Sequence, residues 1–286
     1  MTSTAFHTSF EFFPPRTEAG RDKLMGVRDR LVEQDPSFFS VTFGAGGSTR
    51  EPTFDTVCQV RETGINTAPH LSCVASDKAS LRDLLHRYQE AGISRIVALR
   101  GDMPSGTLAG GELRYARDLV DFIRHETGDH FRLSVAAYPE CHPQASSFEQ
   151  DIDHFVDKVR AGADMAITQY FFNAEAYFHF VEQVRRRGVD VPIVPGIMPI
   201  TNFTKLARFS DMCGADIPRW IRRQLEAYGD DSESIRAFGE EVVSTLCQRL
   251  VEGGAPGLHF YTLNQADASL AILGNLGLGQ RQVSAC

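Results

Sequence analysis

Short stretches in which apolar and polar positions alternate are separated by longer stretches of helical spacing, and this pairing recurs along the whole chain. Residues 7–13 read as a first strand, with Phe10 and Phe12 on one face and Ser9, Glu11 and Phe13 on the other. Pro14 and Pro15 stop it, and 17–33 then shows helical spacing at Leu24, Val27 and Leu31. Residues 38–43 form a second strand, with Phe39, Val41 and Phe43 opposite Ser40 and Thr42. A helix over 52–62 leads to a strand over 67–73 that groups Ala68, His70 and Ser72. Ser76 reads as the cap of a helix carrying Leu81, Leu84, Leu85 and Tyr88, ended at Gly92. The apolar run Ile96-Val97-Ala98-Leu99 closes abruptly in Arg100-Gly101-Asp102, as a buried parallel strand does. Helices at 112–126, 148–161 and 174–187 alternate with strands at 133–138, 165–171 and a proline-bearing 192–197. Three helices, 203–212, 218–227 and 234–252, precede an eighth strand at 257–263 and a closing helix at 266–276.

Eight strands with intervening helices predict an α/β fold of the (β/α)8 TIM-barrel type, with extra helices before the eighth strand. A doubly wound open sheet is the alternative, since local pattern does not prove closure. The alternation favours closure: bulky Phe10, Phe12, Phe39 and Val41 would face outward helices, and smaller or polar Ser9, Glu11, Ser40 and Thr42 would point inward. No linker interrupts the pattern, so one catalytic domain is expected over 1–286, frayed from about residue 279.

Composition narrows the function classes. The chain has 286 residues, 42% of them hydrophobic, and a net charge of −8, which argues against a nucleic-acid surface. Six cysteines stand at 58, 73, 141, 213, 247 and 286 without a CxxC, so neither a disulfide framework nor a structural zinc site is expected. The N-terminus is a poor secretion signal, and no membrane span is expected. A cytoplasmic enzyme fits these features.

Polar residues gather near the ends of the predicted strands: Glu11, Thr42, His70, Asp102, Tyr138, Gln169 and Tyr261. Parallel strands would carry them all to one rim, where barrels place their chemistry. A carboxylate set among aromatics is costly unless paired, so the Glu11 pKa is expected to rise toward neutrality, as a general acid requires. An inward salt bridge supporting the barrel is the other reading of Glu11. Asp102 is either a ligand-orienting carboxylate or the partner of Arg100, with Gly101 freeing the backbone beside it. His70 is either a site residue or a satisfied structural histidine. Glu140 and His142, in the stiff PECHP segment, have a spacing that suits a metal, but no third ligand is evident nearby. Asp151, His154 and Lys158 share one helix face, with a solvated face as the plain alternative. Gln169 sits in so apolar a run that its amide needs a partner, such as the paired donors and acceptors of a heterocycle. The glycine-rich segments 44–49 and 106–111 match neither GxGxxG nor a Walker sequence.

Nine stretches resemble methylenetetrahydrofolate reductase of the bacterial, single-domain kind: SFEFFPPRT (9–17), SVTFGAGGSTR (40–50), APHLSC (68–73), IVALRGD (96–102), VAAYPECHP (135–143), KVRAGAD (158–164), AITQYFF (166–172), VPGIMPITNF (194–203) and LHFYTLN (258–264). The resemblance implies an FAD enzyme in which NADH or NADPH, NADH being the expected donor, reduces the flavin and leaves. A reduced folate, 5,10-methylenetetrahydrofolate, then receives the hydride as 5-methyltetrahydrofolate. It implies Glu11 as the acid that opens the imidazolidine ring to a 5-iminium species, and Asp102 as the carboxylate near the flavin pyrimidine and the pterin. It implies Gln169 as the amide that reads the substrate ring, and Phe209 as a ring packing on the bound substrate or nicotinamide nucleotide. For FAD it implies Thr42 at the isoalloxazine edge, His70, Arg100 and Gly101 along the cofactor, and Tyr138 and His142 lining its course. Asp151 and Lys158 would hold the ribose, phosphate or adenosine portion. Self-association into a homo-oligomer is implied too.

Three positions depart from the family pattern. Asp157 replaces a second basic residue before Lys158, which weakens a basic clamp on the pyrophosphate. His154, still on the implied cofactor helix, replaces Asn. Gln265 replaces an Arg after TLN, so a charged contact to the folate tail or the nicotinamide nucleotide is lost, with Lys205 placed to compensate. Two other readings remain on residues alone: a barrel aldolase or phosphosugar enzyme, which would need a Schiff-base lysine in a strand or a metal cluster, and a non-catalytic barrel serving as a binding module.

Overall fold

The computed structural model describes residues 6–43, 50–74, 76–101 and 112–278. Elements run β1 His7–Phe12, α1 Glu18–Val32, β2 Phe38–Val41, α2 Arg50–Arg61, β3 Thr67–Ser72, α3 Lys78–Glu90, β4 Arg95–Leu99, α4 Ala116–Thr127 and β5 Arg132–Ala137. They continue as α5 Phe148–Arg160, β6 Met165–Thr168, α6 Ala174–Arg186, β7 Ile193–Val194, β8 Gly196–Ile197, α7 Phe203–Cys213, α8 Arg219–Tyr228, α9 Ser232–Glu252, β9 Gly257–Tyr261 and α10 Asp267–Asn275. The capping residues explain several starts. Thr17 accepts from Gly20 N, Ser147 from Gln150 N, and Asp231 from both Glu233 N and Ser234 N. The helix expected from residue 112 begins instead at Ala116, because Asp118 reaches back to accept Tyr115 N at 3.0 Å and fixes the first turn there.

All described strands pair in parallel, in the order β7-β6-β5-β4-β3-β2-β1-β9-β8. The two ends of this ladder are one stretch of chain. β7 and β8 flank Pro195, which has no N–H to give, while its carbonyl accepts His259 N at 3.0 Å. The expected seventh strand therefore exists as two short pieces, and through them the sheet closes on itself. That removes the open-sheet alternative. Tyr177 of α6 reinforces the seam by donating to Ile193 O at 2.8 Å.

The two faces sort as the alternation predicts. Phe10, Phe12, Phe39 and Phe260 face outward and stack on one another with centroids 5.2–6.1 Å apart, all essentially inaccessible. Each such ring contributes about 1.5–3 kcal/mol of burial, so this outer layer holds the helices to the barrel. The interior is filled below by Phe38, Ala68, Val97, Met165, Ile167 and Val194, leaving the polar inward positions at the upper end.

Candidate active site

Glu11 is the next-to-last residue of β1, opposite Ser40 on one side and Tyr261 on the other. Its sequence neighbours Phe10 and Phe12 point out of the barrel, so the aromatic flanks do not form its surroundings. What it meets inside is two imidazoles. Its Oε2 lies 3.1 Å from Nε2 of His70 and 3.6 Å from Nε2 of His259, with Ser40 Oγ at 3.5 Å. Burial pushes the carboxyl up, but the charges and hydrogen-bonding of His70 and His259 pull it down further, to about 2. The expected rise toward neutrality is therefore corrected: Glu11 is an ionised carboxylate in this state. Of the two readings of Glu11 in the sequence, the inward ion pair is present in the fold.

His259 was not among the candidates, although the LHFYTLN stretch contains it. Its signal was present: it stands two residues before Tyr261, hence on the same inward face. It is fully buried, its Nδ1 lies 2.7 Å from Ser9 Oγ, and its ring stacks on Phe38. Ser9, His259 and Glu11 thus form a row across adjacent β1 and β9 positions. Tyr261 carries the row around the rim: its ring meets His259 edge-on and its hydroxyl donates to Thr168 O at 2.7 Å. Burial, then the Glu11 charge, pushes the Tyr261 phenol well above its ordinary value, so it stays protonated.

Gln169 follows β6 directly. It is half-buried, its N–H bonds Ala137 O, and its Oε1 accepts Tyr170 N at 3.0 Å, leaving the amide N–H2 for a ligand. Thr42 sits just past β2, with its N–H on Phe12 O and its carbonyl accepting Thr53 Oγ1. At the end of β4, Gly101 adopts φ 84, and a Cβ there would lie 1.9 Å from Ser72 Oγ. Only glycine fits this approach, which lets Ser72 donate to Arg100 O at 2.8 Å. The Arg100 guanidinium reaches Gln144 Oε1 at 2.6 Å. Asp102 and the segments 44–49 and 106–111 lie outside the described residues.

A second group adjoins this rim. Tyr138 and His142 meet edge-on at 4.5 Å, and His142 N donates to Asp151 Oδ2 at 2.8 Å. Lys158, two turns along α5 from the buried Asp151, donates to Ala136 O at 2.6 Å. Burial lowers the Lys158 ammonium to about 8 against a partial pull from Asp151. His154 lies on the same helix but is exposed. Asp157, the departure from the family pattern, stands 3.7 Å from Arg117 of α4. Glu140 accepts Asp216 N at 2.8 Å, and among the described residues no group of three His, Cys, Asp or Glu is placed to hold a metal ion. Lys205 and Phe209 are exposed along α7, and Gln265 is exposed after β9.

The donor set suits a flavin dinucleotide: the Thr42 hydroxyl, the His70 imidazole and the Arg100 guanidinium near the strand ends, the two rings of Tyr138 and His142, and the buried Lys158 ammonium bonded to one carbonyl. The sequence profile of one family, methylenetetrahydrofolate reductase, matches residues 1–277. The chain belongs to the methylenetetrahydrofolate reductase family. The 5,10-methylenetetrahydrofolate reductase of Pectobacterium carotovorum is 41% identical over 273 residues, 95% of this chain and 90% of that protein. That of Escherichia coli is 41% identical over the same length, covering 91% of its chain. In fold, the chain resembles a Clostridium thermocellum protein that binds two copies of 5-methyl-5,6,7,8-tetrahydrofolic acid, with a TM-score of 0.68 at 18% identity over 96% of this chain and 94% of that one.

Proposed function

We infer that the chain is an oxidoreductase that passes hydride from NAD(P)H through FAD to 5,10-methylenetetrahydrofolate, giving 5-methyltetrahydrofolate. The observation that carries this reading is Glu11, held inside the barrel mouth by two imidazoles, in a chain of this family. When bound, FAD supplies the two-electron relay that no side chain here provides.

The protein's part is to hold, orient and protonate. Thr42, His70, Arg100, Gly101, Asp102, Tyr138 and His142 are the residues assigned to the flavin, with Asp151, His154 and Lys158 toward its phosphates and adenosine. A diphosphate beside the Lys158 ammonium would offset the cost of burying it. Gln169 reads the folate ring with its free amide donors, Phe209 packs on it, and Lys205 and Gln265 flank its approach. Asp102 balances charge near the flavin and pterin.

Opening the imidazolidine ring needs a proton at the substrate nitrogen. Glu11 alone, held near 2, is a poor donor; the Glu11–imidazole cluster is the competent acid. A proton held between Glu11 and His70 or His259 passes to substrate through the carboxylate, and Ser9 fixes the His259 ring through Nδ1.

NADH is the proposed donor, and a cytoplasmic homo-oligomer the proposed form; the five described cysteines are all unpaired, as a reducing compartment requires. No helix among the described residues is long and apolar enough to cross a membrane. No described strand contains a lysine, which removes support for a Schiff-base aldolase. The deciding experiment is an absorbance spectrum of purified protein. It should show bound flavin that NADH bleaches and 5,10-methylenetetrahydrofolate recolours; a flavin that the folate does not reoxidise would overturn the assignment.

A further inference from the structure

Tyr170, next in the chain after Gln169, is buried and offers its hydroxyl to α7. The hydroxyl lies 3.1 Å from Ser210 Oγ and accepts the Cys213 thiol at 3.4 Å, which leaves the phenol proton for the serine. Ser210 and Cys213 are three residues apart, one above the other on one helix face. One phenol therefore grips the last turn of α7 at two points. Two more contacts hold the same end. Gly214 adopts φ 75 at the cap, so close to Pro143 that a Cβ would meet its ring at 2.6 Å, and Glu140 accepts Asp216 N at 2.8 Å. Along the rest of α7, Leu206 is buried and Phe203 and Ala207 pack partly buried against the core, Ser210 is the buried polar residue, and Lys205 and Phe209 are exposed. A serine on the buried face of a helix is costly unless bonded, and Tyr170 is the partner that makes it fit.

We propose that Tyr170 is a positioning residue of the folate site: by gripping Ser210 and Cys213 it sets α7, and with it Phe209 and Lys205, at a fixed place relative to Gln169. This rests on the reading of Gln169 and Phe209 as substrate residues. The ring of Tyr170 also packs edge-on against Phe172 and Tyr261 at 6.0 and 6.3 Å, so its bulk serves the core. The hydroxyl serves α7, and Tyr170→Phe separates the two.

The test uses the FAD-loaded protein carrying Tyr170→Phe, Ser210→Ala, or both. The KM for 5,10-methylenetetrahydrofolate should rise roughly three- to tenfold, the size of one lost neutral hydrogen bond, while kcat at saturation and flavin content hold. Because both substitutions break the same bond, the double variant should resemble either single one. Amide hydrogen exchange over 203–213 should quicken while that of α6 does not. An unchanged KM with unchanged exchange would overturn the proposal. So would a loss of kcat, bound flavin and melting temperature together, which marks a purely structural tyrosine. If the wild type reduces no folate, the functional reading fails by itself, and the exchange rates of α7 still decide whether the hydroxyl holds the helix.

Discussion

The Oε2 of Glu11 stands 3.1 Å from Nε2 of His70, across two strand pairings at the upper end of the barrel. A carboxylate and an imidazole at that distance share a proton readily, so the acid role proposed above is a property of the pair rather than of Glu11 alone. Glu11→Gln keeps the volume and removes the proton acceptor. Flavin reduction by NADH should then stay within about twofold of wild type, and folate reduction should fall about 10²- to 10⁴-fold, the range of a lost general acid. Rapid-mixing absorbance of each half-reaction separates them. Equal loss in both would remove Glu11 from the acid role.

The same carboxylate makes a pH-dependent contribution to stability. Burial opposes its charge, but the imidazoles win and the folded pKa, about 2, lies below the ordinary 4.5. A depressed folded pKa stabilises above the unfolded value and is lost as pH falls through the folded one. Glu11 should therefore contribute up to about 3 kcal/mol above pH ~4.5, disappearing toward pH ~2. Thermal or urea unfolding of wild type and Glu11→Gln between pH 5 and 2 should show a gap that closes on acidification. A gap constant across that window would contradict the ion-pair assignment.

Lys158 works in the opposite sense. Its folded value, about 8, lies below the ordinary 10.5, so between these limits the unfolded chain holds more protons and stability rises with pH. A bound diphosphate favours the charged ammonium, so flavin binding takes up a proton in that window. FAD affinity should weaken as pH rises from about 8 to 10, and Lys158→Met should bind FAD more weakly with the pH slope flattened. Fluorescence titration of apoprotein with FAD measures both. A slope unchanged in the variant would place the diphosphate elsewhere.

Barrel closure depends on Gly196. Its N–H donates to Thr168 Oγ1 at 2.9 Å, and a Cβ there would stand 2.1 Å from Thr168 O and 2.6 Å from the Tyr261 ring. Gly196→Ala must push strand and tyrosine apart, which overpacking of this kind makes worth about 1–3 kcal/mol. A lowered melting temperature is expected, together with a raised KM for the folate as Tyr261 shifts. An unaffected melt would mean that the seam yields without cost.

The alternation of bulky and small residues made the barrel legible, because the pleat sends Phe10 and Glu11 to opposite sides whatever the tertiary detail. That same pleat hides the surroundings of Glu11: its neighbours in sequence, Phe10 and Phe12, are not its neighbours in space, which are His70 of β3 and His259 of β9. His259 was hidden for a related reason, since a histidine inside an apolar run has no local mark of function until register sets it beside β1. Pro195 was legible as an irregularity but not as a seam, because only the closed ladder gives its carbonyl a use. The hold of Tyr170 on Ser210 joins residues forty apart and left no trace in local pattern.

Asp157 offers a test of how far the cofactor's phosphates feel the neighbouring helix. The family pattern has a basic residue there, beside Lys158; in this chain the aspartate stands 3.7 Å from Arg117, both partners about half-exposed. A pair so exposed contributes about 0–1 kcal/mol to folding, so replacing the aspartate should leave the apoprotein melt nearly unchanged. The local charge is another matter. Asp157→Arg changes it by two units next to the buried ammonium and so should tighten FAD binding, about threefold to tenfold at low salt and less at high salt, where exposed charges are screened. Titrations at two ionic strengths read the effect directly. An affinity indifferent to the substitution at both would mean that α5 presents this position away from the cofactor, and that Lys158 with backbone amides carries the diphosphate without help.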